Sequence, residues 1–223
     1  MMAPGKNMAK TFTELTPGSI IDISQEVSAD TAVWPGDTPF SLEWVMRLDD
    51  GCSCNVSTLH MSVHTGTHAD APNHFIKDGA TPADVDLTRY IGNARVIHTT
   101  TEEAVMPSDL DGIDLTQTRR LLFRTPRSMT VDAWRDDFTF IHPETAALLA
   151  TNGVLLVGLD TPSVDAMTSK TLDSHNLLTS GGVAILENLA LQNVPEGEFE
   201  LIALPLRLRD ADSSPVRAIL KVL

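Results

Sequence analysis

The chain has 223 residues, 42% of them hydrophobic and 21% charged, which is ordinary globular usage, excludes a disordered or fibrous class and suffices for one large domain with its own core. Thirty acidic against sixteen basic residues leave a formal charge of −14; such a chain repels phosphate backbones and anionic membrane surfaces, so neither nucleic acid nor membrane is expected as a partner. No apolar run approaches the roughly 18 residues needed to span a bilayer.

Taken in chain order, the start MMAPGKNMAKTFTELTPGS lacks the apolar core of a signal peptide, and its small residues and prolines suggest a mobile leader over residues 1–17 and cytoplasmic residence. SIIDIS at 19–24 reads as a first strand. Cys52 and Cys54 form C-S-C, too tight for an easy disulfide and lacking the second pair of a zinc knuckle, so they read as reduced thiols.

VSTLHMSVH at 56–64 alternates like a strand and leads its polar face into HTGTHADAPNHF at 64–75. Thr65, Gly66 and Thr67 between the histidines, with Pro72 beyond, oppose a helix. In extended chain His64, His68 and Asp70 would share one face, with Gly66 leaving room for a cation between the imidazoles. Two imidazoles and a carboxylate suit zinc, and also iron or manganese. His74 has two readings, a fourth ligand that closes the site or a free imidazole that accepts and returns protons beside it.

Further on, DVDLTRYIG at 84–92 allows a short helix, and ARVIHT at 94–99 and LLFRT at 121–125 read as strands. HPETAALLATNG at 142–153 reads as a helix opened by Pro143 and ended by Gly153. VLLVGLD at 154–160 follows as a strand, then a second helix over SKTLDSHNLLTSGG at 169–182, then strands at 183–189, 199–208 and 216–223. The sum is a β-rich α/β single domain with a mixed sheet and few helices.

In VAILENL, Glu187 lies among apolar residues on both faces of its strand, where an unpaired carboxylate would cost several kcal/mol. No Arg or Lys occurs between Lys170 and Arg207, leaving metal ligation, a distant ion pair or a protonated acid. His175 could approach the same point across the GG turn, or be a histidine of an amphipathic helix. Five candidate ligands exceed what one catalytic zinc requires and suggest two metals sharing carboxylates.

HTGTHADAPNHF resembles the H-x-G-T-H-x-D-x-P-x-H-F signature of the cyclase-like metal-dependent hydrolases, and the resemblance runs from about residue 18 to the C-terminus, residue 223. It implies a swivelling β/β/α fold. VWPGDTPF at 33–40, GLDTPSVDAMTSKTLDSH at 158–175 and ILENLAL at 185–191 are similar to the formamidase branch of that family. That resemblance implies hydrolysis of N-formyl-L-kynurenine to L-kynurenine and formate, in tryptophan degradation, by a hydroxide held between two metal ions. It further implies that His64, His68 and Asp70 bind a first zinc, that Asp70 reaches a second held by His175, and that Glu187 touches both; manganese or another divalent ion would also suit these ligands. His74 would be the proton donor and acceptor, and Trp34 would line the substrate pocket. A homodimer or larger assembly is implied as well. DADSSP at 210–215 departs from the pattern in lacking a glycine that relatives often carry.

Two rivals stand beside this reading. One is a related amidohydrolase opening a cyclic amide such as isatin; the other is a non-catalytic metal-binding protein whose ions only hold the fold. A serine-hydrolase route is disfavoured because no G-x-S-x-G is present.

Overall fold

The computed structural model describes residues 15–223. Its elements in chain order are β1 (Ile20–Asp22), β2 (Ser41–Met46), β3 (Val56–His60), β4 (His68–Asp70), β5 (Ile91–His98), β6 (Ala104–Val105), β7 (Arg120–Arg124), β8 (Phe140–Ile141), α1 (Pro143–Thr151), β9 (Leu156–Leu159), α2 (Asp173–Ser180), β10 (Ala184–Glu187), β11 (Gly197–Ile202), β12 (Ser213–Pro215) and β13 (Ile219–Val222). Nine strands form one sheet in the order β1-β13-β11-β5-β7-β9-β10-β4-β12. The central run β5-β7-β9-β10 is parallel and the flanking pairs are antiparallel. The β-rich mixed sheet with few helices is thus the architecture expected from the sequence.

Strands β9 and β10 are buried along their whole length, and this two-sided burial is why they read as near-continuous apolar runs rather than alternating ones. Leu121, Phe123, Val157, Leu159 and Ile185 face the helices, packing with Ala146 and Leu149 of α1 and Leu178 of α2. Leu122, Leu156 and Leu186 face the other way, into a second cluster with Phe199, Leu201 and Leu220 from the far side of the sheet.

Helix α1 starts where Pro143 predicts, with the His142 ring accepting from the Glu144 N–H at 3.3 Å. Helix α2 starts four residues later than expected because Leu172 takes a left-handed conformation, φ 50° and ψ 51°, which no helix can run through. The strand expected over 199–208 stops at Ile202, ahead of Pro205, which has no N–H for a ladder. The possible helix over 84–92 is a single 3-10 turn, Leu87–Tyr90.

The strand expected over 56–64 ends at His60. Ser62 captures the chain instead: its hydroxyl accepts from the His64 N–H and its carbonyl from the Thr65 N–H, both at 3.2 Å, and Gly66 follows at φ +65°. The expected leader, residues 1–17, lies outside the described residues as far as residue 14; of the remainder, Leu15 packs against the core. Cys52 and Cys54 are free thiols. Among the described residues no helix is long and apolar enough to cross a membrane.

Candidate active site

Strand register builds the centre of the site. Strands β4 and β10 are antiparallel neighbours with Glu187 opposite His68 and Ile185 opposite Asp70, so His68, Asp70 and Glu187 project from one face. Helix α2 covers that same face and brings His175 onto it. The Ser62–Gly66 turn, rather than extended chain, delivers His64. Gly66 serves this turn and not a cavity for a cation: a Cβ there would lie 2.8 Å from Val27 Cγ2, and the Gly66 carbonyl accepts from His68 Nδ1 at 2.8 Å.

The five residues converge. Asp70 Oδ1 lies 3.3 Å from His64 Nδ1 and 3.6 Å from His68 Nε2, while Asp70 Oδ2 lies 3.7 Å from His175 Nε2. Glu187 repeats the pattern, with Oε2 at 3.2 Å from His68 Nε2 and Oε1 at 3.3 Å from His175 Nε2. Each carboxylate therefore faces imidazole nitrogens with both of its oxygens, Asp70 meeting three rings and Glu187 two. Two three-residue sets result, His64–His68–Asp70 and Asp70–His175–Glu187, joined at Asp70.

The outer nitrogen of each of these histidines is fixed by a second partner. His68 Nδ1 donates to Gly66 O, His64 Nε2 lies 2.9 Å from Asp212 Oδ2, and His175 Nδ1 lies 2.6 Å from Asp165 Oδ2. In the neutral ring, donation outward leaves the unprotonated nitrogen facing inward on all three, a tautomer assigned from the hydrogen-bond network and the form that binds a metal. Asp165 also accepts from the Ser174 and His175 N–H groups at 3.0 and 2.9 Å, capping the start of α2 and orienting its histidine at once.

Does a cation fit? Among the described residues, the buried side-chain atoms without a hydrogen-bond partner are Thr65 Oγ1, His68 Nε2 and both oxygens of Asp70. An orphaned buried polar group costs about 1–3 kcal/mol, and more when charged, so three such atoms at one point are accounted for by a divalent metal ion bound there. The nitrogen and carboxylate donor set agrees.

Without a metal, protons on the histidines must balance the carboxylates. Burial pushes the His64 pKa down, but its hydrogen bonds and Coulombic attraction to Asp70 and Asp212 win and raise it to about 9. Burial would raise Asp70 and Glu187, yet the neighbouring imidazoles hold both lowered. His175 is raised well above its ordinary value, against burial, by Asp165, Asp70 and Glu187.

His74 stands apart from the two Asp70-sharing sets. It ends the short Pro72–His74 turn, its ring centroid 4.4 Å from that of His64, and it groups with His64 and Asp212. Burial lowers its pKa, in part offset by the charges of Asp70, Glu187 and Asp212, so near neutral pH it is an imidazole able to take a proton.

A cavity of about 300 Å³ opens onto the centre, lined by His64, His68, His74, His175 and Glu187 together with Trp34, Phe75, Met129 and Trp134. Trp34 is thus one of the cavity's lining residues. Trp134, Asp165 and Asp212 were not singled out from the sequence. Trp134 meets Trp34 edge-on, ring centroids 5.2 Å apart at 76°, and its Nε1–H donates to Asp136 Oδ1 at 2.7 Å. A buried-carboxylate argument like that for Glu187 could have flagged Asp165, between Val164 and Ala166; nothing local marks the other two.

Residues 21–166 match the model of the Cyclase family. A kynurenine formamidase from Bacillus cereus (strain ATCC 10987 / NRS 248) is 44% identical over 201 residues, covering 90% of this chain and 96% of the relative. A solved structure described as a "predicted metal-dependent hydrolase from Bacillus stearothermophilus" superposes with a TM-score of 0.79 at 28% identity over 91% of this chain and 97% of its own. An isatin hydrolase bound to the product analogue thioisatinate shares the fold, with a TM-score of 0.77 at 21% identity over 91% and 92% of the two chains. The chain belongs to the Cyclase family.

Proposed function

We propose that this protein hydrolyses N-formyl-L-kynurenine to L-kynurenine and formate, with His64, His68 and Asp70 holding one zinc ion, His175 a second, and Asp70 and Glu187 shared between them. The observation that carries the reading is the pair of buried carboxylates, Asp70 and Glu187, each facing imidazoles with both oxygens, in a centre whose histidines and Glu187 line an aromatic-walled cavity. The 44% identity to a formamidase across nearly the whole chain selects the substrate. The isatin hydrolase likeness, at 21% identity, bears on the fold alone.

Metal ions held by His64, His68, Asp70, His175 and Glu187 would supply Lewis acidity, with which water would be nucleophilic near neutral pH and negative charge on the formyl oxygen stabilised. The chain's own residues do the rest. His74 takes a proton at its free ring nitrogen and returns it to the aniline nitrogen as the C–N bond breaks. Trp34 and Trp134 hold the aryl ring, and their edge-to-face contact leaves the Trp34 ring partly exposed in the cavity wall. Phe75, packed on His74 and His175 at centroid distances of 4.4 and 4.3 Å, keeps both imidazoles in place.

Cytoplasmic residence and a homodimer or larger assembly belong to the same proposal. The exposed apolar residues Leu42, Trp44, Val45 and Leu59 of the β2–β3 hairpin support assembly, and light scattering that returns a monomer mass would remove it.

Steady-state kinetics on N-formyl-L-kynurenine and isatin side by side test the substrate. The formamide should be favoured in kcat/KM by more than about tenfold, a margin that two substrates reacting at different carbonyls readily exceed. A preference for isatin would replace this reading with the cyclic-amide one.

A further inference from the structure

We infer that Asp212 is a positioning residue that locks His64 and His74 to one another through a single carboxylate oxygen. Oδ2 of Asp212 lies 2.9 Å from His64 Nε2 and 3.2 Å from His74 Nδ1, and these two rings are the side-chain partners of Asp212 among the described residues. One acceptor therefore dictates two tautomers. With Nε2–H of His64 and Nδ1–H of His74 both donated to it, His64 keeps its Nδ1 lone pair facing Asp70, and His74 keeps Nε2 as its unprotonated nitrogen. The first is the form a metal ligand needs and the second the form a proton acceptor needs.

The fold places this carboxylate deliberately. Strand β12 pairs with β4 so that Ser213 lies opposite Asp70, and one step further the Asp212 carbonyl accepts from the Ala71 N–H at 3.0 Å. Asp212 is thus tied to the backbone just beyond the ligand strand, although its own side chain is 44% exposed. An exposed carboxylate contributes little as a simple ion pair. Its value here is geometric: it sets the separation between the group that would bind metal and the group that would carry the proton.

This inference rests on the reading of His74 as the proton carrier, so two of its readouts need no substrate. Asp212→Asn and Asp212→Ala are made in the full chain, alone and with His74→Ala, and loaded with zinc. Ring nitrogen chemical shifts should show His74 as a single Nδ1–H tautomer in the parent and a mixture in Asp212→Ala. Zinc affinity should fall by about 10–100-fold, the usual effect of removing an outer partner of a ligating histidine. At saturating zinc, kcat on N-formyl-L-kynurenine should fall at least about tenfold with KM little changed, Asp212→Asn lying between parent and Asp212→Ala, and the loss should largely disappear in the His74→Ala background. An unaltered His74 tautomer together with unaltered zinc affinity would overturn the inference whatever the substrate proves to be. An equal fall in kcat with and without His74 would overturn the link to the proton carrier.

Discussion

At the scale of single residues, the site works through which nitrogen of each ring is left free. His64, His68 and His175 turn one nitrogen outward to Asp212, Gly66 O and Asp165 and the other inward to Asp70 and Glu187. His74 shares the Asp212 partner but not the inward company. We therefore expect His74→Ala to keep its full metal content, measured by elemental analysis, while kcat falls by about 10²–10⁴-fold, the range of a lost general acid–base group; metal loss in that variant would make His74 a ligand. Trp34→Ala or Trp134→Ala should raise KM with a smaller effect on kcat, since the proposed reading gives them the aryl ring and not the reacting carbon.

Asp210 lies in the DADSSP stretch that departs from the family pattern. It sits at φ +63°, the left-handed region that glycine occupies without strain. Asp210→Gly should stabilise the protein by up to about 1 kcal/mol in denaturant titrations, and a destabilised variant would show that the aspartate side chain contributes more than the strain costs.

At the scale of elements, turns rather than strands bring the chemistry together. The chain between β3 and β4 reverses at Ser62–Gly66, and Gly66 meets both conditions that exclude a side chain, positive φ and a neighbour 2.8 Å from any Cβ. Gly66→Ala should cost about 2 kcal/mol or more in unfolding free energy and weaken metal binding by displacing His64; calorimetry and metal titration check both. The candidate ligands His68, Asp70 and Glu187 were legible in the sequence by residue type, His68 and Asp70 two apart on a strand and Glu187 in an apolar run without a nearby base, whereas the ligand role of His175 came from the family resemblance. The sequence also made the central strands legible, through their length and β-branched content. It did not reveal the bend at Gly66, since H-x-x-x-H fits a strand face as well as it fits a turn. Nor could it reveal Asp212, which reaches the site only through the pairing of β12 with β4 across 142 intervening residues, His68–Asp70 against Ser213–Pro215; register over that separation leaves no local periodicity. Strand β2 was missed because it pairs with β3 alone and stays exposed along Ser41–Val45, so no buried face imposes an apolar alternation on SLEWVM.

At the scale of the whole molecule, stability is linked both to protons and to metal. Burial raises the Asp160 carboxyl from 3.8 to about 7 despite hydrogen bonds from the Thr125 N–H and hydroxyl. The folded state then holds a proton that the unfolded chain releases at lower pH, so this group lowers stability as pH rises from about 4 to about 7, by up to roughly 4 kcal/mol. Asp160→Asn should flatten that part of the pH dependence of unfolding; an unchanged profile would mean that Asp160 is ionised in the fold. The candidate metal ligands come from the Ser62–Gly66 turn, β4, α2 and β10, so an ion bound there would tie the sheet to α2. Zinc at 100 times its dissociation constant should add about 2.7 kcal/mol for each site filled.

The most direct measurement is a titration of metal-free protein with zinc, following bound metal per chain and N-formyl-L-kynurenine turnover in the same samples. The two bridged ligand sets predict that chelated protein is inert, that turnover returns as occupancy rises, and that it reaches its plateau at two ions per chain. Full turnover in protein stripped of metal, or none at two ions per chain, would contradict the account.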